Sequence, residues 1–219
     1  ETNEGKTFYE DFFLLENLKR CSTIIKSSYH KITNLNKGKK LLNNFNNLLQ
    51  NNLNTIVYNF VDTLSHARTE MDVIKELAED ESAYRSLTLS WFKHSPLYEM
   101  MKKMSENSCK VFLTTDHGTI RVKNASKVMG PKQINSNMRY KVSKNLSYNK
   151  KDVMEALNPE KISLPKNALS SSYVFAKESN FFVYPNNYNH FVNYYGNTFQ
   201  HGGISMEEIM IPYIEMKAK

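Results

Sequence analysis

The stretch KVFLTTDHG, Lys110 to Gly118, decides how the chain is read. Val111, Phe112 and Leu113 form a bounded apolar run of β-branched and aromatic character, which predicts a short strand covered on both faces. The run gives way to Thr114 and Thr115, then Asp116 and His117. In an open α/β sheet, ligands bind beyond the carboxyl ends of the parallel strands, so an adjacent carboxylate and imidazole there are candidate site residues. Gly118 lets the chain turn away tightly because it carries no Cβ. An Asp-His-Gly turn also suits a capped loop without chemistry, and this stretch by itself leaves both readings open.

Toward the N-terminus, a second strand followed by polar residues is expected. NTIVYNFV, Asn54 to Val61, is rich in Ile, Val, Tyr and Phe and leads into Asp62-Thr63-Leu64-Ser65-His66. Before it, Leu41, Leu42, Phe45, Leu48 and Leu49 recur at helical spacing within Asn36 to Asn51, and Thr7 to Cys21 carries a similar stripe of Phe8, Phe12, Phe13, Leu15 and Leu18. Ser22 to Ile32 suits a strand or an extended linker. From Met71 to Asn107 the pattern is helical, with Pro96 breaking the run and opening a new helix at its first turn. Helix, strand, helix and strand thus alternate over residues 36 to 115, which predicts parallel βαβ units.

Toward the C-terminus, Thr119 to Lys123 suits a further short strand, and Asn124 to Tyr148 is polar and turn-rich, expected as an excursion off the sheet. Asp152 to Leu157 is expected as a short helix. Ser171 to Phe175 and Asn180 to Tyr184 read as two antiparallel strands joined at Lys177-Glu178-Ser179. Tyr188 to Phe199 is dense in aromatic residues, which suits packing or base stacking. The chain closes with His201-Gly202-Gly203 and a strand over Ile209 to Ile214.

The net charge of +7 is unevenly spread. Between Gly118 and Lys151 lie nine basic residues, among them Arg121, Arg139 and Lys141, and no acid, so the remainder is slightly acidic. A basic segment directly after the candidate site favours an anionic, phosphate-bearing substrate over a solvated loop. There is no apolar run long enough for a membrane span and no basic-then-apolar leader, which points to the cytosol. Cys21 and Cys109 are too few for a disulfide framework.

Asp62 and His66 four residues apart after one strand, Asp116 and His117 after another, and His201 before a third are the imidazole and carboxylate donors that zinc uses in catalytic sites. In this order they resemble the alkaline phosphatase superfamily. The chain is most similar to its PglZ-type branch, and within that branch to effector domains of PorX-like response regulators associated with type IX secretion. The resemblance is carried by VDTLSHART (Val61 to Thr69), TTDHGTIRVK (Thr114 to Lys123), MRYKVSKNLSYN (Met138 to Asn149) and QHGGISMEE (Gln200 to Glu208).

The resemblance implies a single partial domain over 1–219, with a mostly parallel central sheet flanked by helices and a basic, cap-like subregion at 118–170. It implies two Zn2+ ions, one held by Asp62, His66 and His201, the other by Asp116 and His117 with an aspartate and a Thr or Ser nucleophile from earlier in the domain. Those last two have no match here. The catalytic nucleophile is therefore expected upstream of Glu1, and the chain alone is expected to hold the second ion poorly and to catalyse little. The implied activity is phosphodiester hydrolysis on oligonucleotide-type substrates, with Arg121, Arg139 and Lys141 as phosphate contacts. Expected partners are an upstream receiver domain and the missing N-terminal portion or a second copy, associating through an exposed apolar sheet edge. A non-catalytic nucleotide- or protein-binding module and a phosphomonoesterase or phosphomutase are the alternatives. His30, His94 and His190 are expected to be structural or surface residues.

Overall fold

The computed structural model describes residues 6–21, 25–131, 136–164 and 172–218, with side chains from Glu10 onward. Glu1, the position upstream of which the nucleophile is expected, lies outside the described residues. So do Ser22 to Ile24 and positions 132–135 and 165–171 of the basic segment, and Phe8 of the first apolar stripe is described without its side chain. The chain forms two compact units. The first gathers the described residues up to His66 together with Glu76–Lys110; the second gathers Ala67–Lys75 and Val111–Met216.

In the first unit, helix α1 (Lys6–Arg20) precedes strand β1 (Ser27–Ile32), helices α2 (Leu35–Asn43) and α3 (Phe45–Leu48), and strand β2 (Leu53–Tyr58). β1 and β2 pair in parallel, Ser27 opposite Leu53 through Ile32 opposite Tyr58, so the stretch open to strand or linker is a strand. The parallel units expected over residues 36 to 115 do not form among the described residues, because the strand at 111–114 pairs antiparallel with the strand Tyr213–Met216. Asn34 starts α2 by accepting a hydrogen bond from the Lys37 N–H. The predicted helix over residues 36–51 is broken at Asn44, yet its apolar stripe still turns inward: Leu41, Phe45 and Leu48 are buried with Ile32 and Met100. Helix α4 (Phe60–Glu70) follows β2 directly, then α5 (Asp72–Leu77), with Ala67–Lys75 of these two helices counted with the second unit, and then α6 (Glu81–Lys93) and α7 (Pro96–Glu106). Pro96 sits at the first turn of α7, and the Ser95 hydroxyl caps that turn by accepting from the Tyr98 N–H. Trp91 of α6 stacks on Phe60, ring centroids 3.9 Å apart, which makes it a packing residue. On α1, Phe12, Phe13 and Leu15 remain exposed.

The second unit is built from short strands. β3 (Val111–Thr114), β4 (Ile120–Arg121), β5 (Asn124–Met129), β6 (Tyr140–Ser143), β7 (Ser147–Tyr148), β8 (Val153–Ala156), β9 (Ser172–Ala176) and β10 (Asn180–Val183) are followed by helix α8 (Tyr188–Tyr195), β11 (Phe199–Gln200), helix α9 (Met206–Ile209) and β12 (Tyr213–Met216). β3 pairs antiparallel with β12, β4 antiparallel with β11, β5 between β10 and β7, and β9 between β6 and β8. Over the described residues the sheets have two or three strands and mixed direction, smaller than a single, mostly parallel central sheet.

Four local expectations change. The segment after Gly118 does not leave the sheets: it supplies β4 to β7, and Val122 and Val128 are fully buried. Residues 153–156 form strand β8 instead of a helix, because Val153 and Ala156 fill cores beside β9. β9 and β10 are not a hairpin; β9 pairs antiparallel with β6 and β8 while β10 runs parallel to β5, with Glu178 left-handed at φ 47° in the crossing turn. The final strand starts at Tyr213, since α9 consumes Met206–Ile209. The aromatic stretch 188–195 is α8, which packs Tyr188, Phe191, Val192 and Tyr195 against Phe181 and Val183.

Candidate metal centre

The five proposed ligands fall into two groups, one in each unit. In the first unit, Asp62 lies in the opening turn of α4, where an acid complements the helix dipole, and His66 follows one turn later. Their i, i+4 spacing brings His66 Nε2 to 3.5 Å from Asp62 Oδ1, with both side chains partly open to solvent. The same part of α4 is secured by Tyr84, whose hydroxyl bonds the Ser65 hydroxyl at 2.8 Å and donates to the Val61 carbonyl at 3.0 Å.

In the second unit, β3 ends in a turn closed by its own side chains. Thr114 Oγ1 donates to the Pro212 carbonyl, Thr115 Oγ1 to the His117 carbonyl, and the His117 N–H to Asp116 Oδ1. Gly118 is required here, because a Cβ at this position would collide with the Glu207 carbonyl. His117 Nδ1 lies 3.0 Å from the Gly118 carbonyl, an arrangement that calls for a proton on Nδ1 and so reserves Nε2 as the metal-binding atom of the neutral tautomer. His201, just after β11, stacks on His117 with ring centroids 4.0 Å apart and planes 13° from parallel. The Asp116 carboxylate lies 3.8 Å from His117 Nε2 and is largely exposed.

The strand leading to this turn is not covered on both faces: Phe112 is 48% and Leu113 41% exposed, as is much of β12 opposite them.

The basic candidates divide differently. Arg139 is fully buried and forks onto Glu208, Nε to Oε1 at 3.0 Å and NH2 to Oε2 at 2.9 Å, with NH1 donating to the Asn180 carbonyl. Its guanidinium is committed inside the protein, so it is no open phosphate fork. Lys141 is 1% exposed beneath the Tyr184 ring, and burial pulls its ammonium down to a pKa of about 8. A charge so placed is a poor first contact for a solvated phosphate. Arg121 is only partly buried, and its Nε has no hydrogen-bond partner among the described residues. A shallow depression lined by Met154, Leu157, Lys161 and Ile162 holds none of the candidate ligands.

His30, His94 and His190 are engaged elsewhere: His30 with the Ser28 hydroxyl, His94 with the Ser90 carbonyl, and His190 against the rings of Phe191 and Tyr194. Two residues of this region have no role in the sequence reading. Glu208 is the buried partner of Arg139, and Arg68 is buried on the Asn197 carbonyl and the Phe199 ring. Both sit inside quoted motifs, Val61 to Thr69 and Gln200 to Glu208, and membership in those motifs is the signal that could have found them.

Residues 10–216 match the model of the BREX system PglZ alkaline phosphatase-like domain. The chain belongs to the PglZ family. No curated protein matches its sequence significantly. The donor chemistry of this PglZ chain suits a divalent metal: two imidazoles from separate segments stack on each other, with the Asp116 carboxylate 3.8 Å from His117 Nε2. Among the described residues no helix is long and apolar enough to cross a membrane.

Proposed function

We propose that this PglZ domain contributes to a zinc-dependent phosphodiesterase acting on oligonucleotide-type substrates, in a PorX-like response regulator associated with type IX secretion. The observation that carries the reading is the stacked pair of His117 and His201, 84 positions apart in sequence and converging within one unit. Family membership supports the hydrolase class. Asp62, His66 and His201 are the proposed ligands of one ion, and Asp116 and His117 belong to the other.

Bound zinc would supply Lewis-acid stabilisation of phosphoryl charge and a lowered pKa for a hydroxyl nucleophile. The chain's own residues do the holding: the Gly118 carbonyl fixes the His117 tautomer, and the Thr115 and Asp116 side chains lock the turn that presents it. Arg121 remains the proposed phosphate contact. The partners proposed are an upstream receiver domain and an N-terminal portion, before Glu1, that supplies the nucleophile.

The burial of Arg139 and Lys141 favours one rival, a regulatory module of the same family that binds without catalysis, because two of three basic contacts are withdrawn from solvent. Hydrolysis of a chromogenic phosphodiester and of a short oligonucleotide by the intact domain, compared with an Asp116→Ala, His117→Ala variant, separates them. The proposal expects loss of at least about 100-fold in the variant, on the scale of removing a metal-centred stabilisation of several kcal/mol. Equal rates would sink it. A preference for phosphomonoesters would point to a monoesterase or phosphomutase.

A further inference from the structure

We propose that Asn137, Arg139 and Glu208 form a positioning clamp that sets His117 and His201 against each other. The inference deepens the proposed zinc reading without depending on it for its first test. Glu208 is 2% exposed and its carboxylate takes four N–H donors: Arg139 Nε and the Gly203 N–H on Oε1, Arg139 NH2 and the Ser205 N–H on Oε2. Four donors satisfy the carboxylate's acceptor sites, so the group is fully compensated in its buried position.

Its connections reach both histidines. Gly203 lies two residues after His201, and a Cβ on Gly203 would meet Glu208 Oε2 at 2.6 Å and Arg139 Nε at 3.0 Å, so the loop seats directly on the ion pair. On the other side, the Gly118 N–H, one residue after His117, donates to the Glu208 carbonyl at 2.8 Å. Asn137 closes the arrangement: its Nδ2 donates to the His201 carbonyl at 3.1 Å, while its Oδ1 accepts from the Arg139 and Tyr140 N–H groups at 2.7 and 3.1 Å. One residue thus fixes the chain beside each imidazole, and the segment 137–140 holds that residue and the His201 backbone together. None of the three side chains bonds either ring. They act through the backbone, which makes them positioning residues. Outer groups that orient ligands typically govern affinity by about 10–100-fold.

The test uses the metal-free chain first. A nuclear Overhauser contact between the His117 and His201 ring protons is expected in the wild type and is expected to fall at least about 5-fold in Glu208→Gln and in Asn137→Ala, in line with lost ligand orientation. Asn137→Ala covers the case in which Glu208→Gln does not fold, since it leaves the ion pair intact. A wild-type contact persisting in a folded variant, or no contact in the wild type, overturns the clamp. Titration with Co2+ alone is the second arm. Affinity should drop about 10–100-fold and the ligand-field absorption should change in variants folded by circular dichroism. Folded variants with wild-type affinity and spectrum would reduce the clamp to a purely structural ion pair and overturn it. Were the wild type not to bind Co2+, the zinc reading would fail while the ring contact still decided the clamp.

Discussion

The β1–β2 region and the region around β6 and β11 solve the same packing problem with different chemistry. In the first, Ile32, Leu41, Phe45, Leu48 and Met100 close an apolar core, and polar side chains such as Asn34 cap its edges. In the second, Arg139, Lys141, Glu208 and Thr198 are buried in the same unit as Val122, Phe181 and Val183. An apolar core gains from area removed from water and tolerates gradual change. A buried ion pair contributes little net stability when whole, yet its breakage leaves an uncompensated charge. The second region is therefore the one that a single substitution or a pH change should disturb.

The largest expected effect is Glu208→Ala, which strands Arg139 and should cost about 3–5 kcal/mol, read as accelerated amide exchange in β6 and in the loop at 201–205. A cost below about 1 kcal/mol would mean that the pair is dispensable and that the contrast between the regions fails. Leu48→Ala should cost about 3 kcal/mol through lost contact and a residual cavity, read by amide exchange in β1 and β2. Exchange in β6 should not follow.

Proton titration should separate the regions further. Burial pushes the Glu208 carboxyl up, but the Arg139 fork and the Gly203 and Ser205 N–H groups outweigh it, so its pKa lies below the usual 4.5. Its folded pKa is depressed, so its stabilising contribution is present above the unfolded value and lost as pH falls through the folded one. Protection of the 201–205 loop should drop below about pH 4.5 in the wild type and change less in Glu208→Gln. At the other end, the Lys141 pKa of about 8 lies below its unfolded value of 10.5, so the unfolded chain binds more protons between them. The Lys141 contribution to stability around β6 should rise between about pH 8 and 10.5 and be absent in Lys141→Met. The smallest effect expected is the loss of the α2 cap: Asn34→Ala should cost about 1 kcal/mol, seen as fraying of α2 alone.

The contrast also explains what the sequence could and could not reveal. Periodicity locates the helix stripe at Leu41, Phe45 and Leu48, because an apolar core writes its spacing into the chain, whereas the pairing of β2 with β1 is invisible to it, since the residues up to Ile32 suit strand and linker alike. Pro96 marks its helix start for the same local reason. The segment after Gly118 reads as an excursion because its lysines and arginines dominate composition, while the pairing of β5 with β10, and of β6 and β8 with β9, is non-local and leaves only short alternations. Composition likewise suggests Arg139 and Lys141 as phosphate contacts; their burial depends on Glu208 and Tyr184, more than 40 residues away in sequence. The candidate ligands are legible as residue types at strand and helix ends. That His117 and His201 stack requires the fold, since no spacing rule links positions so distant.

The central claim is that His117 and His201 are joint parts of a metal centre, and Co2+ titration of the chain followed by absorption spectroscopy tests it most directly. The wild type is expected to show a saturable ligand-field band with imidazole character, lost in His201→Ala and weakened in His117→Ala. A double variant that binds Co2+ with the wild-type stoichiometry and spectrum would contradict the claim.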